Sequence, residues 1–117
     1  MTAPWPAEIR IRTADRCLEI EWDDGRRDML PAELLRVESP SAEVQGHGAE
    51  TKQIVAGKRS VTIVGAEPIG NYAVRLIFDD GHDSGLYTWA TLRHFAENQA
   101  EIFATYLQAL DSRGLKR

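Results

Sequence analysis

Stretches in which apolar and charged residues alternate dominate the first part of the chain. Residues 8–12 and 17–22 show this pattern, and the second stretch puts Leu18, Ile20 and Trp22 on one side. Alternation with a period of two is typical of a strand with one face in the core and the other in water. The pattern therefore predicts two β-strands in this region.

A turn signal and a short helix follow the second predicted strand. Asp23-Asp24-Gly25 indicates a hairpin, because glycine readily adopts the positive φ that such turns need. A return strand over residues 26–30 comes next. Pro31 then suits the first turn of a helix over residues 31–37. This part of the chain therefore predicts a β-β-β-α unit.

The same order of elements recurs in the second half of the chain. Residues 74–86 match residues 18–30 in their apolar positions, in an Asp-Asp-Gly turn and in a leucine five positions after the turn glycine. A strand precedes each stretch, and a helix with a Leu-Arg pair follows each. We therefore predict two repeated antiparallel β-β-β-α units, as two small sheets or one continuous sheet, which must pack on each other to bury enough apolar surface.

The last part of the chain predicts an amphipathic helix. Thr88 can cap the first helical segment, Asn98 predicts a break, and Gly114 predicts the end of the helix. Apolar side chains at helical spacing form one stripe, which consists of Phe103, Tyr106, Leu107 and Leu110. Residues 113–117 are expected to fray. The predicted fold class is therefore α+β, with a single domain over residues 1–117.

The stretch between the two units, residues 38–59, has no regular pattern. It contains Ser39-Pro40-Ser41 and Gly46-His47-Gly48. Loops of this length inside a compact domain are uncommon and are usually functional or mobile. We expect Ile54 and Val55 to attach this long loop to the core.

Composition and charge narrow the possible partners and the compartment. The 117 residues carry a formal net charge of −4, which disfavours nucleic acid or an anionic membrane as the main partner. No apolar run approaches the roughly 18 residues of a membrane helix, and the N-terminal residues lack the features of a secretory signal. The single cysteine, Cys17, excludes an internal disulfide. These features predict a cytoplasmic protein.

Residue patterns give no support for catalysis. Two Asp-Asp pairs lie in hairpin turns, where aspartate is a common turn former. There is no phosphate-binding glycine motif. Ser39, Ser41 and Ser60 have no histidine at a spacing that would indicate a nucleophilic triad. Tyr87 and Trp89 are interpreted as core anchors. We therefore expect a protein that is not an enzyme.

Several motifs together carry a family resemblance. Residues 30–44, Gly46-His47-Gly48, 57–59 and 70–89 resemble the small bacterial proteins of the domain-of-unknown-function 971 (DUF971) family. That domain is similar to the N-terminal domain of γ-butyrobetaine hydroxylase and trimethyllysine hydroxylase, and it also occurs fused to some Fe–S carrier ATPases. The oxygenase activity is not implied, because its two-histidine, one-carboxylate triad and its barrel have no counterpart in this sequence.

The resemblance also implies the position of a metal site. In the eukaryotic hydroxylases three cysteines and a histidine hold zinc, and these positions match Ser39, Ser41, Val44 and His82 here. Serine and valine do not make a tetrahedral zinc site. We therefore expect no bound cofactor. The alternative is a weak zinc or iron site that uses His47 and His82, with an acid such as Asp83.

The function predicted from these observations is that of a stand-alone, non-catalytic domain that binds a protein partner. The predicted partner surface combines the long loop with the second hairpin and consists of Ser39, Ser41, His47, His82 and Asp83. The alternative function is that of a metal-binding or Fe–S accessory protein with a degenerate zinc site.

Overall fold

The computed structural model describes residues 4–45 and 52–117. Two three-stranded antiparallel sheets form in this part of the chain. The first sheet consists of β1 (Pro6–Arg12), β2 (Cys17–Trp22) and β3 (Arg27–Pro31), and it is followed by α1 (Ala32–Val37) and α2 (Ala42–Gln45). The second sheet consists of β4 (Ile63–Ile69), β5 (Ala73–Phe78) and β6 (Leu86–Thr88), and it is followed by α3 (Trp89–Ser112). The predicted α+β fold with two β-β-β-α units is confirmed, with separate sheets.

One cluster of buried side chains joins the two units. It takes residues from both sheets, from α1 and from α3, and it includes Leu18, Ile20, Trp22, Leu35, Leu76, Phe78, Tyr87 and Leu92. Burying one large apolar side chain contributes roughly 1.5–3 kcal/mol, so the shared cluster is the main stabilising contact between the units. Within the described residues, no helix is long and apolar enough to cross a bilayer.

The strand register corrects the sequence match between the two units. Leu18 pairs with Leu30 across the first hairpin, and the matching residue Val74 pairs with Tyr87 across the second. The counterpart of Leu30 is therefore Tyr87 and not Leu86. Leu30 and Tyr87 are both buried, whereas Leu86 is exposed. Because neighbouring side chains in a strand point to opposite faces, the second unit needs one additional residue before β6.

The two Asp-Asp-Gly turns have the same geometry. Gly25 has a φ of +89° and Gly81 a φ of +90°, a region that favours glycine. Asp24 and Asp80 each accept a hydrogen bond from the backbone N–H two positions further on, at 3.2 and 3.0 Å. The aspartates are therefore turn formers, as predicted.

Each turn is also tied to the helix of the other unit. Arg93 of α3 donates to Asp24 of the first turn at 2.8 Å, and Arg36 of α1 donates to Asp80 of the second turn at 2.7 Å. The arginine of each Leu-Arg pair that identified the repeat thus contacts the turn of the other unit. The sequence match alone did not predict this exchange.

The C-terminal helix is continuous but distorted. Thr88 caps α3 by accepting from the N–H of Thr91, and Asn98 has a non-helical φ of −128°. The predicted break is therefore a local kink within one helix. Leu107 is exposed and does not share the buried side of the predicted stripe.

The residues after α3 are docked on the rest of the domain. We expected residues 113–117 to fray, but the carbonyl of Lys116 accepts from the N–H of Gly57 at 3.0 Å. The guanidinium of Arg117 pairs with Glu33 at 2.7 Å. The sequence could not predict these contacts because their partners lie far away along the chain.

The described parts of the long loop, residues 38–45 and 52–59, are attached to the domain. The N–H of Gln53 donates to the carbonyl of Val44 at 2.6 Å. Ile54 and Val55 pack against a small cluster of Val37, Tyr106 and Leu110. The expectation that these two residues attach the loop to the core is confirmed.

Candidate functional site

Three polar side chains from distant parts of the chain meet in the interior. The Oγ of Ser39 lies 2.9 Å from Nε2 of His82, and the Oγ of Ser41 lies 3.4 Å from the same nitrogen. Ser39, Ser41 and His82 are only 0%, 6% and 8% exposed. We call these three residues the Ser–His cluster.

Local hydrogen bonds hold the serine side of the cluster. Ser39 and Ser41 follow α1, and the N–H of Ser41 donates to the Oγ of Ser39 at 3.4 Å. The side-chain amide of Gln45 donates to the carbonyl of Ser39 at 2.9 Å. The short α2 helix therefore fixes the backbone at Ser39.

The histidine side of the cluster depends on the additional residue of the second unit. After the second turn, the sequence pattern predicts a return strand over residues 82–87, but β6 begins only at Leu86. Residues 82–85 are irregular, and the ring of His82 lies 6.1 Å from that of Phe78. The irregular segment lets His82 turn inward, whereas a regular strand would have continued the hairpin.

Gly85 permits the close approach of the two segments. A Cβ atom at this position would lie 2.4 Å from the Oγ of Ser39 and 3.1 Å from a ring carbon of Tyr87. No side chain fits there without moving its neighbours. A glycine inside a predicted strand indicates a close backbone approach, and this signal could have located the cluster from the sequence.

A charged group lies directly beside the cluster. Asp80, two positions before His82, accepts from Arg36 at 2.7 Å and from the N–H of His82 at 3.0 Å. Lys58 also pairs with Asp80 at 2.7 Å. Burial alone would raise the pKa of Asp80, but these hydrogen bonds outweigh burial and lower that pKa from 3.8 to about 2.

Tyr87 and Trp89, both predicted as core anchors, have different environments. Tyr87 is fully buried, and its hydroxyl donates to the carbonyl of Leu35. Burial raises the pKa of Tyr87. Trp89 is only half-buried, and its indole N–H donates to the carbonyl of Asn71 at 2.9 Å. The prediction is therefore confirmed for Tyr87, which lies in the core, and Trp89 packs against the same core cluster from a partly buried position.

Of the other predicted site residues, Asp83 lies outside the cluster. Asp83 is exposed, and its carboxylate lies 3.2 Å from Arg75. Val44 is buried. His47 lies outside the described residues. The structure thus brings together three of the four residues at the positions of the implied zinc ligands, Ser39, Ser41 and His82, as hydrogen-bonding partners.

The chemistry open to the cluster is limited by its donors and its burial. Among residues 4–45 and 52–117, no group of three or more histidine, cysteine, aspartate or glutamate side chains could hold a metal ion. Sequence spacing indicated no histidine partner for Ser39, but the fold supplies His82 at hydrogen-bonding distance. However, the Ser39 hydroxyl is sealed from solvent, so a substrate cannot reach it.

A second feature, on the surface, was missed from the sequence. Trp5, Tyr72 and Trp89 form what we call the aromatic corner. The rings of Trp5 and Trp89 lie edge to face with centroids 6.0 Å apart, and the N–H of Trp89 donates to the carbonyl of Tyr72 at 3.2 Å. Trp5 is 45% exposed and Tyr72 is 54% exposed. The rings of Trp5 and Trp89 thus meet at the surface, and the exposed Tyr72 is joined to Trp89 by a backbone hydrogen bond.

Comparisons with known proteins agree with this fold. Two structures determined in solution by NMR resemble the chain with TM-scores of 0.86 and 0.85 and sequence identities of 45% and 44%. They cover 99% and 100% of this chain, which in turn covers 91% and 90% of theirs. A comparison with curated proteins gave no match.

A crystal structure and a family model give the family. The crystal structure is that of a protein of unknown function of the DUF971 family from Acidithiobacillus ferrooxidans. It has a TM-score of 0.66 and 43% identity, and the match covers 78% of this chain and 91% of that one. The model of the gamma-butyrobetaine hydroxylase-like N-terminal domain matches residues 9–93. Because this match covers more than half of the chain, the protein belongs to the gamma-butyrobetaine hydroxylase-like N-terminal (DUF971) family.

Proposed function

We propose that this chain is a non-catalytic domain that binds a protein partner through the aromatic corner. The observation that carries the proposal is the exposure of Trp5 and Tyr72 beside Trp89. Tryptophan and tyrosine are enriched among the residues that supply most of the binding energy at interfaces. The net charge of −4 favours a protein partner over nucleic acid. We also propose that the protein is cytoplasmic.

The aromatic corner is ordered by its backbone contacts. The N–H of Trp5 donates to Asp23 at 3.0 Å, and the carbonyl of Trp5 accepts from the N–H of Asp23 at 2.8 Å. The indole of Trp89 is anchored to Asn71. A surface that is already ordered loses little conformational entropy on binding, which favours affinity.

The proposal moves the partner surface away from the residues predicted from sequence. Ser39, Ser41 and His82 are buried, so their side chains cannot contact a partner directly. Asp83 remains available on the surface. The buried cluster supports the non-catalytic part of the proposal, because the nucleophile–base pair it contains is closed to substrates.

A binding experiment with a double variant tests this function. We expect affinity capture from a lysate of the source organism to retain a protein on the wild-type chain and to lose it on Trp5→Ala/Tyr72→Ala. The partner is then purified and its Kd measured by calorimetry. Losing two aromatic anchors should weaken binding at least about tenfold, since each contributes on the order of 2 kcal/mol.

The matched control uses two other exposed apolar residues. Met29→Ala/Leu107→Ala removes two other exposed apolar side chains, from β3 and α3, and should leave the Kd unchanged. Circular dichroism checks that both double variants are folded. A purified partner that binds Trp5→Ala/Tyr72→Ala with the wild-type Kd would overturn the proposal.

A second candidate function is that of a metal-binding or Fe–S accessory protein. It is favoured by the convergence of Ser39 and Ser41 on Nε2 of His82. Zinc titration with metal analysis separates the candidates, since stoichiometric zinc that is lost in His82→Ala would support the second. The variant Ser39→Cys/Ser41→Cys/Val44→Cys is the positive control. It restores the three cysteines that the family resemblance implies, so with His82 it should bind cobalt in a tetrahedral site.

A further inference from the structure

The cleft between α1 and α3 has the features of a receptor for a cationic side chain. We propose that it binds an arginine side chain from a basic segment of a partner protein, and that the chain's own Arg117 occupies and blocks it. The cleft is lined by Pro31, Glu33, Leu34, Ala100, Phe103 and Arg117, among others. The proposal involves no residue of the aromatic corner, so it does not depend on the proposed function.

Arg117 shows how the cleft recognises a guanidinium group. Its Nη2 donates to Oε1 of Glu33 at 2.7 Å, and its Nε donates to Oε2 at 3.0 Å. Two parallel hydrogen bonds of this kind require the planar fork of arginine. The guanidinium carbon also lies 5.2 Å from the ring centroid of Phe103, a cation–π contact. Carboxylate and ring together select a flat cation.

The buried carboxylate of Glu33 makes the binding of a cation in the cleft favourable. Its side chain is only 6% exposed. A buried carboxylate without a partner is costly, because its lost hydration is not replaced. Among the described residues, Glu33 forms its ion pair with Arg117. Removing Arg117 therefore leaves a carboxylate that favours any guanidinium group able to enter.

The cleft has room for more than the side chain of Arg117. It encloses about 460 Å³, and Pro31, Leu34 and Ala100 contribute apolar walls. Arg117 remains 37% exposed at the entrance. A basic segment could therefore place its arginine on Glu33 while apolar parts of the same segment contact these walls.

The tail that carries Arg117 is held by few contacts. Gly114, with a φ of +66°, ends the helix, and the carbonyl of Lys116 accepts one hydrogen bond from Gly57. Release of the tail breaks these contacts and the ion pair but uncovers no large part of the core. Tethering still gives Arg117 an effective concentration on the order of millimolar, so a competing segment binds the wild type weakly.

A peptide titration followed by NMR tests the proposal. The probe is an acetylated, amidated tetrapeptide of sequence Gly-Leu-Lys-Arg, which is titrated into the wild-type chain and into Arg117→Ala. We expect Arg117→Ala to bind the peptide at least tenfold more tightly than the wild type, with amide shift changes at Glu33 and Phe103. No binding to Arg117→Ala at millimolar peptide, or equal affinity for both chains, would overturn the proposal.

Three controls identify the recognition chemistry. A peptide with citrulline in place of arginine keeps the shape but loses the charge, and it should not bind. In the Arg117→Ala background, Glu33→Gln should abolish binding, whereas Glu101→Gln, an exposed position on the same helix as Phe103, should not. If Glu33→Gln fails to fold, Phe103→Leu replaces it and should weaken binding several-fold. Unchanged affinity in the tested variant, or binding of the citrulline peptide, would contradict the proposal.

Discussion

At the scale of single residues, Gly85 is the described glycine at which an added Cβ atom would lie closest to its neighbours. Its hydrogen points at the Oγ of Ser39, and a methyl group there would lie 2.4 Å from that atom. Overpacking of a closed interior costs roughly 1–3 kcal/mol. Gly85→Ala should therefore lower the free energy of unfolding by about 2 kcal/mol, measured by urea denaturation.

A substitution at Ser39 can remove the clash that Gly85→Ala creates. Ser39→Ala deletes the Oγ atom, so the double variant Gly85→Ala/Ser39→Ala should recover part of the lost stability. The contact with the Tyr87 ring at 3.1 Å remains and limits the recovery. Wild-type stability for Gly85→Ala, or additive losses in the double variant, would show that the two segments do not meet as described.

The lowered pKa of Asp80, in the second turn, makes the stability of the folded chain depend on pH. Its pKa is about 2 in the folded chain and 3.8 in the absence of the fold. A lowered carboxylate pKa stabilises the folded state above the unfolded value, and this contribution is lost as the pH falls through the folded value. Stability should therefore fall between about pH 4 and pH 2, and Asp80→Asn should remove part of that dependence.

At neutral pH, Asp80→Asn should also destabilise the domain. The loss of charged hydrogen bonds leaves Arg36 and Lys58 close together without their carboxylate, a cost of about 3 kcal/mol. Asp83→Asn, at an exposed position, is the matched control and should change stability by less than about 1 kcal/mol. Equal pH profiles for wild type and Asp80→Asn would contradict the prediction. Urea midpoints across the pH range provide the measurement.

At the scale of elements, the turn of each hairpin is tied to the other unit's helix, but the two ties differ in burial. Arg36 and Asp80 have side chains that are 12% and 18% exposed, whereas Asp24, the partner of Arg93, is 42% exposed. Exposed ion pairs contribute roughly 0–1 kcal/mol, and removing one partner of a buried pair is more costly. The tie between α1 and the second turn is therefore the stronger one.

Double-mutant cycles measure this difference. The pair Arg36→Ala and Asp80→Asn should give a coupling energy above about 1 kcal/mol, and the pair Arg93→Ala and Asp24→Asn a smaller one. Urea denaturation of all six variants gives both values. A larger coupling energy for the exposed pair would contradict the assignment.

The boundaries of the strands show which features of the fold can be predicted from residues that are close in sequence. Alternation placed β2 correctly and the turn glycines ended the hairpins where expected, since both depend on residues close in sequence. The pattern predicts a strand over residues 60–64 that continues through residues 65–69, and β4 runs from Ile63 to Ile69, so only its start was predicted too early. Pro68 predicts a bulge or an edge in this strand, and β4 is an edge strand whose register shifts between Ile63 and Gly65. The pairing partner decided the boundary.

At the scale of the whole molecule, the two units share one core. The buried cluster draws on both sheets, and its members from one unit are covered by those from the other. A unit of one three-stranded sheet and one short helix can bury only a small apolar core by itself, so we expect it to be unstable alone. The repeat therefore describes two halves of one cooperative domain.

Fragments of the chain test this cooperativity. A fragment of residues 1–45 should show no dispersed amide signals in an NMR spectrum, because its apolar face is uncovered. The full chain should unfold in a single transition by fluorescence and by circular dichroism. Cooperative unfolding of the isolated fragment would show that the first unit has a core of its own.

The sequence by itself determined the order of the strands with α1 and α3, the repeat, the two turns and the acidic charge, but it did not predict α2 in the long loop. Each of these depends on neighbouring residues or on composition. It also placed Ser39, Ser41 and His82 at matching family positions, but it gave no distance between them. Local rules therefore predicted most of the fold. For the candidate site, the family positions gave the residues but not their geometry.

The tertiary structure alone decided what those residues do. It buried Ser39 against His82, which lies 43 residues away, and it gave Asp80 two cationic partners from other elements. It also placed Trp5 beside Trp89 and Arg117 on Glu33. These contacts depend on how the units pack and on one additional residue before β6. Such packing is a property of the whole chain, because each contact joins segments that are remote in sequence.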